Sequence, residues 1–274
     1  MLSVENRIWL SKKRAMLLSM LGIPKGFFIQ YDYMSSIVPS MEYPGILELC
    51  KRANLKPVFN QLSVMAEAVR KDRAFWNRET RHLGPLDSAV NYAVTTLANP
   101  KRILEIGCGR STEILARAVL DGGLGTRITC IDPAPRLDIS GLPVEFERRV
   151  LQVSDVELVS KLEPNDILYI DSSHILQPGS DVDIEFNILF PAIKPGVIVH
   201  VHDIHLPWGY DPSWNSKNWN EVCGLIPWIL SGAFEIVFPV RYAQVVHEAD
   251  LINALPDYLG PKLASGGSMW LRKK

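Results

Sequence analysis

The chain has 274 residues, a nearly balanced charge of −1 and 47% apolar residues. That apolar content excludes a disordered chain, and the charge balance leaves no basic face for nucleic acid or an anionic membrane. Four cysteines, Cys50, Cys108, Cys130 and Cys223, have neither CxxC spacing nor the density of a disulfide scaffold, so a reducing cytoplasm is expected.

Near the N-terminus, "KKRAMLLSMLGIPKGFF" places basic residues before an apolar run that is short for a signal peptide and lacks an A-x-A site. It reads as an amphipathic helix ending before Pro24. No stretch reaches the roughly 20 apolar residues of a membrane span. "YPGILELCKRANLKPVFNQLSVMAEAVRKD" continues the helical period, interrupted at Pro57. Residues 1–95 are therefore expected to form a helical extension. It completes a pocket through "FWNRETRHLGPLD", where Asp87 is a candidate contact near a cofactor. Residues 96–274 are expected to form the main domain.

From residue 101 short apolar runs alternate with amphipathic stretches. "RILEI", "RITCI", "VEFERRV", "DILYID" and "GVIVHVHD" read as strands, and "STEILARAVLDGG", "DVELVSKL" and "SDVDIEFNILFPAI" as helices. The alternation predicts an α/β fold with a parallel, doubly wound sheet. "FEIVFPV" and "GSMWLRKK" add two strands at one edge. Asp181, Asp183 and Glu185 read as acidic residues favourable at a helix start.

In "RILEIGCGRST" a strand runs into Gly107 and Gly109, and a helix begins near Ser111. Glycines permit a tight turn and a close ligand approach, while the helix N-terminus offers free N–H donors to an anion. Thr112 stands where a dinucleotide fingerprint wants a third glycine. Glu105 precedes the turn. The next strand ends in "CIDPAP", placing Asp132 where a carboxylate can accept ribose hydroxyls. Together these predict a nucleoside-type cofactor site.

"DILYIDSSH" carries Asp171 and His174 beyond one strand, and "VHVHDIH" carries His202, Asp203 and His205 beyond its neighbour. Ligands of open α/β sheets bind beyond the carboxyl ends of the strands, so the fold brings these residues together. His200 lies within its strand and reads as a core histidine. "LPWGYDPSWNSKNWN" then supplies Trp208, Tyr210, Trp214 and Trp219 as an aromatic wall for an acceptor.

"LEIGCGRST" and "CIDP" resemble the first two motifs of class I S-adenosylmethionine-dependent methyltransferases. "YIDSSHILQPGSDVDIEF…LFPAIKPGVIVHVHDIHLP" resembles their bacterial small-molecule, natural-product O-methyltransferase branch, and "GGSMWLRK" fits the final strand. The resemblance covers roughly residues 80–274. It implies a Rossmann-like seven-stranded sheet with the last strand antiparallel, and S-adenosylmethionine as cofactor. It implies that Glu105, Gly107 and Gly109 shape the methionine end, that Ser111 and Thr112 meet the methionine carboxylate, and that Asp132 holds the ribose. Asp171 borders the cofactor, and the segment from Gln152 to Asp155 lies beside adenine.

The activity so implied is methyl transfer to a hydroxyl of a sugar, phenol or other natural product. A neutral histidine can take the hydroxyl proton, which assigns His174 as general base, with His205 and Asp203 as further catalytic candidates. The resemblance also implies a divalent cation on strand-end carboxylates, here Asp171 and Asp203. His202 stands where related enzymes have an acidic residue. Two carboxylates and one imidazole shift preference from magnesium towards manganese, iron or zinc. The expected partner is a small-molecule acceptor, with a homo-oligomer left open and no nucleic acid or membrane. N-methyl transfer, metal-dependent oxygen chemistry on the same fold and non-catalytic cofactor binding remain alternatives. A nicotinamide-dependent oxidoreductase is disfavoured by Thr112 and Glu105.

Overall fold

The computed structural model describes residues 42–78, 83–210, 219–259 and 266–274, with isolated positions elsewhere that include Trp214 and Lys217. Among these residues seven strands form one sheet: β1 Arg102–Ile106, β2 Arg127–Ile131, β3 Glu145–Glu147, β4 Ile167–Ile170, β5 Ile198–His202, β6 Phe234–Pro239 and β7 Ser268–Lys273. Their order is β3-β2-β1-β4-β5-β7-β6, and β7 runs antiparallel to both β5 and β6. This is the Rossmann-like, doubly wound sheet with an antiparallel last strand that the resemblance implies.

Isoleucine and valine dominate the inner strands, where branched side chains fit a pleated surface covered on both faces. Every residue of β4 and β5 is buried. The order reverses between β1 and β4, so the ends of these two strands open a crevice at the carboxyl edge. Asp132 follows β2, Gly107 follows β1, Asp171 follows β4 and Asp203 follows β5, all at that edge.

Before the sheet come helices Pro44–Arg52, Lys56–Val64, Ala66–Lys71, Arg73–Trp76 and Pro85–Ala98. The last packs against helix Arg110–Asp121 and runs past the boundary expected at residue 95. The helix expected before Pro24 falls largely outside the described residues. Among the described residues no helix is long and apolar enough to cross a membrane.

One difference from the sequence reading has a clear cause. Helix Asp181–Ile184 begins as expected, with the hydroxyl of Ser180 accepting from the Asp183 N–H at 3.2 Å. It then widens into a π-helix, Glu185–Leu189, which turns Glu185 inward. Glu185 is fully buried and accepts from the Ser172 hydroxyl at 3.1 Å, so it belongs to the interior and not to a solvated helix start. After the Trp-rich segment, helices Glu221–Leu230, Val240–Val246, Glu248–Ala254 and Pro256–Leu259 flank the last strands.

Candidate active site

Gly107 ends β1 with φ +82, a left-handed conformation that a side chain rarely tolerates. Its N–H donates to the Ile131 carbonyl at 2.9 Å, and the Asp171 N–H donates to the Ile106 carbonyl at 2.9 Å. A Cβ at Gly107 would lie 1.9 Å from the carbonyl oxygen of Asp171, so the packing of β1 against β4 requires this glycine. Gly109 differs. Its backbone is extended, and a Cβ there would meet nothing within 4 Å. The protein itself does not need Gly109 to be glycine. The open space beside it belongs to a cavity of about 1000 Å³ lined by Gly107, Cys108, Gly109, Ser111, Asp132, Leu151 and Asp171 among others.

Asp132 spans two loops at the cavity wall. Its Oδ2 accepts from the Cys108 N–H at 2.7 Å and its Oδ1 from the Ala134 N–H at 2.6 Å. Each oxygen keeps lone-pair capacity for a ligand hydroxyl. Behind the glycine turn, Glu105 is fully buried, accepting from Ser111 Oγ at 2.6 Å and from Cys130 Sγ at 3.3 Å. Burial pushes its carboxyl up to about 7, although Ser111, Thr112 and Cys130 favour the ionised form. Glu105 is not among the residues lining the cavity and shapes the turn from behind.

Thr112 is buried as well, and its Oγ1 accepts from the Gly109 N–H at 3.0 Å. It caps the helix and is not among the lining residues, whereas the adjacent Ser111 is. Gln152 is likewise absent from the lining; Val150 and Leu151 take its place. The Gln152 N–H donates to Asp155, whose carboxylate is held by Arg149 through bonds of 2.8 and 2.7 Å. Asp87 is buried and spends both oxygens on the Gly267 N–H and the Ser268 hydroxyl, at 3.0 and 2.6 Å. It ties β7 to helix Pro85–Ala98 and is not a lining residue.

At the other end of the cavity, Asp171 Oδ1 lies 3.5 Å from Nε2 of His174, and Asp203 Oδ2 lies 3.7 Å from the same nitrogen. Nδ1 of His174 lies 2.6 Å from Glu221 Oε1. His174 and Asp203 both have positive φ, +63 and +53, which is uncommon for residues with side chains and tends to occur at functional sites. The indole of Trp219 covers the imidazole, ring centroids 4.2 Å apart. Burial opposes the imidazolium of His174, but Glu221, Asp171 and Asp203 outweigh it and hold the group above its ordinary value. His202, 3.7 Å from Asp203 Oδ1, is also buried; the same carboxylates together with Asp87 overcome that burial and push it up to about 9.

His200 stacks on Tyr169 with centroids 3.8 Å apart, and burial drives it well below the ordinary histidine range. It is a neutral core residue, as its place in the strand suggests. His205 is buried with its ring 4.6 Å from that of Trp214 and 5.6 Å from that of Tyr210, against the backbone of Gly267. That packing sets its ring beside the aromatic residues that follow β5. Lys217 Nζ sits 3.5 Å above the ring of Trp214 and 3.8 Å above that of Trp219.

Among the described residues, Glu105, Cys108 and Cys130 are the one group of three metal-capable side chains whose donor atoms all lie within 4.8 Å of one another. Asp171, His202 and Asp203 do not meet that spacing. Asp171 and Asp203 instead flank His174, and a shared cation would require them to be drawn together.

Glu221 escaped the sequence reading. It lies far from His174 along the chain, and nothing in "NWNEVCG" marks an acidic residue at a helix start as anything but ordinary. Its complete burial is the signal, and burial is visible only in the folded chain.

Residues 104–204, over a third of the chain, match a family model described as a methyltransferase domain. No curated protein matches significantly. Among solved structures, the chain is similar to the SAH-bound methyltransferase PaMTH1 of Podospora anserina, at 15% identity over 91% of this chain and 100% of that one, TM-score 0.43. It is similar to CmcI in its Mg-SAM form, at 15% identity over 69% and 72%, TM-score 0.43. An O-methyltransferase from Bacillus cereus in complex with SAH gives 15% identity over 97% and 100%, TM-score 0.37.

Proposed function

Taking residues 104–204 as a methyltransferase domain, we propose that the chain transfers a methyl group from S-adenosylmethionine to a hydroxyl of a small molecule such as a sugar or phenol, with His174 as proton acceptor. One observation carries this reading. Asp171 lines the cavity beside Gly107 and Gly109, and its carboxylate also stands 3.5 Å from Nε2 of His174. The cofactor space and the base therefore share a wall.

The open cradle at Gly109, the helix start at Ser111 and the two-sided Asp132 carboxylate fit an amino-acid end and a ribose. When bound, S-adenosylmethionine supplies an electrophilic methyl group on a sulfonium. The residues do the rest. Asp132 orients the ribose. Asp171 and Asp203 flank the hydroxyl's place beside Nε2. His174 receives the hydroxyl proton at Nε2, and Glu221 stabilises the resulting imidazolium. Trp219 excludes water from one face of the ring. No step is routed through a cation, since the donor atoms of Asp171, His202 and Asp203 do not all lie within 4.8 Å of one another.

Calorimetry with S-adenosylhomocysteine and NAD, followed by methyl-transfer assays on a panel of hydroxyl compounds, tests the proposal. Micromolar binding of S-adenosylhomocysteine and methyl ether formation are expected. Tighter binding of NAD would overturn it.

A further inference from the structure

We propose that Glu221 is a positioning residue that fixes the tautomer of His174, holding Nδ1 protonated so that the Nε2 lone pair faces the space between Asp171 and Asp203. This rests on reading His174 as the proton acceptor. Glu221 opens helix Glu221–Leu230, outside the segment that matches the methyltransferase domain. It is fully buried. Its Oε1 is 2.6 Å from Nδ1 of His174 and 3.5 Å from the Tyr210 hydroxyl, while Oε2 finds no hydrogen-bond partner among the described residues.

A buried carboxyl with one oxygen unmatched is expensive, and nothing in the packing of an otherwise apolar helix face calls for it. The bond to His174 is what it provides. Its neighbour Asn220 supports the same loop from the backbone side. The Asn220 N–H donates to the His174 carbonyl at 3.1 Å, the Leu176 N–H donates to Asn220 Oδ1 at 2.7 Å, and Asn220 Nδ2 donates to the Leu176 carbonyl at 3.2 Å. Two consecutive residues thus hold both the backbone and the ring of a residue in a strained conformation.

The chemical consequence concerns which nitrogen carries the proton. Burial raises the Glu221 carboxyl, opposed by His174 beside it; once ionised, as at alkaline pH, it can only accept at Nδ1, so the neutral ring must carry its proton there and leave Nε2 unprotonated. The opposite tautomer would present an N–H to the acceptor hydroxyl and could not take its proton. The charged groups facing the ring are Glu221 from the helix, Asp171 after β4 and Asp203 after β5. The Tyr210 phenol reaches the same carboxyl from the aromatic wall.

The test is histidine-selective ¹⁵N NMR of the whole protein at alkaline pH, where the ring is neutral, with His174→Gln to assign the signals. Wild type should show His174 as the Nδ1–H form with a strongly downfield proton. Glu221→Leu, close in volume and apolar, should shift it to the Nε2–H form that free imidazoles favour. If that variant does not fold, Glu221→Gln should keep the fold and lose the downfield shift. A wild-type His174 in the Nε2–H form, or an unchanged His174 spectrum in a folded Glu221 variant, would overturn the proposal. Calorimetry with S-adenosylhomocysteine on the same samples separates the two ideas: no binding by wild type would sink the methyl-transfer reading while the tautomer result stood or fell on its own.

Discussion

The α-hydrogen face of Gly107 is pressed against the carbonyl oxygen of Asp171, so closely that a single added carbon would lie 1.9 Å from it. The cofactor turn and the reaction wall are therefore one rigid joint. Gly107→Ala should fail to fold or lose most of its stability. Gly109→Ala, with extended backbone and open space at the new carbon, should melt like wild type yet bind S-adenosylhomocysteine about tenfold more weakly or worse, a loss of roughly 1.4 kcal/mol. Melting curves and calorimetry on the pair check this. Unimpaired binding by Gly109→Ala would mean that the ligand lies elsewhere in the cavity.

Asp132→Ala should weaken S-adenosylhomocysteine binding by roughly 1.5–3 kcal/mol, the range for a hydrogen bond to a charged group. Because Asp132 also accepts from Cys108 and Ala134, Asp132→Asn is the cleaner probe, since the amide oxygen can replace one of those acceptors. Isothermal titration of both variants is the measurement. Equal affinity in wild type and both variants would remove Asp132 from the ribose site.

His174→Ala should lower methyl transfer by about 10²–10⁴-fold with cofactor affinity nearly unchanged. His200→Ala should do the reverse, costing roughly 2–4 kcal/mol by leaving a cavity beside Tyr169 while sparing turnover in the folded fraction. Denaturant titrations and initial rates on the two variants separate the roles. A stable His200→Ala without activity would put the base on β5.

The wild-type rate should rise with pH through an ionisation above the ordinary 6.5 of histidine, because neighbouring carboxylates hold His174 in its protonated form. His174→Ala should lack that limb. Initial rates across pH, with stability monitored in parallel, are required. A limb identical in the mutant would assign the ionisation to another group.

Stability should move the opposite way. His202 is raised from 6.5 to about 9, and His174 is raised as well. Each binds its proton more tightly when folded, so its stabilisation is complete below 6.5 and is lost as pH rises through the folded value. Glu105, raised from 4.5 to about 7, extends the decline to lower pH, between about 4.5 and 7, because folding favours its neutral form. The thermal midpoint should therefore fall steadily between about pH 6.5 and 9. His202→Gln should flatten the upper part of that decline, and a midpoint that climbs over this range would contradict the assignment.

Much of this was legible because strand texture and strand ends are local properties. Ile and Val runs mark β1, β2, β4 and β5, and the residues just beyond them, Gly107, Asp132, Asp171 and Asp203, lie at the edge where such sheets bind ligands. What was hidden depends on packing. Thr112 and Ser111 are adjacent polar residues at one helix start, yet the first is turned into the cap and only the second reaches the lining. Asp87 looks available in "GPLDS" but is consumed by Gly267 and Ser268, which are distant along the chain. Glu221 and His174 meet only because helix Glu221–Leu230 returns across the carboxyl edge after β5.

The placement of β7 between β5 and β6 constrains how the molecule can assemble. Among the described residues β6 pairs only with β7, so β6 joins the sheet through β7 and cannot be tied to β5 until the segment after Gly266 arrives. Until then β5 presents an unpaired edge bearing Ile198, Val199 and Val201, a sticky template for intermolecular pairing. Closure over so long a sequence separation is slow. Pulse-labelling hydrogen exchange should accordingly find the β5–β7 and β6–β7 amides protected together and last, after those of β1, β2 and β4. Should the two phases separate, the β5 edge is the surface left open to self-association in the interval.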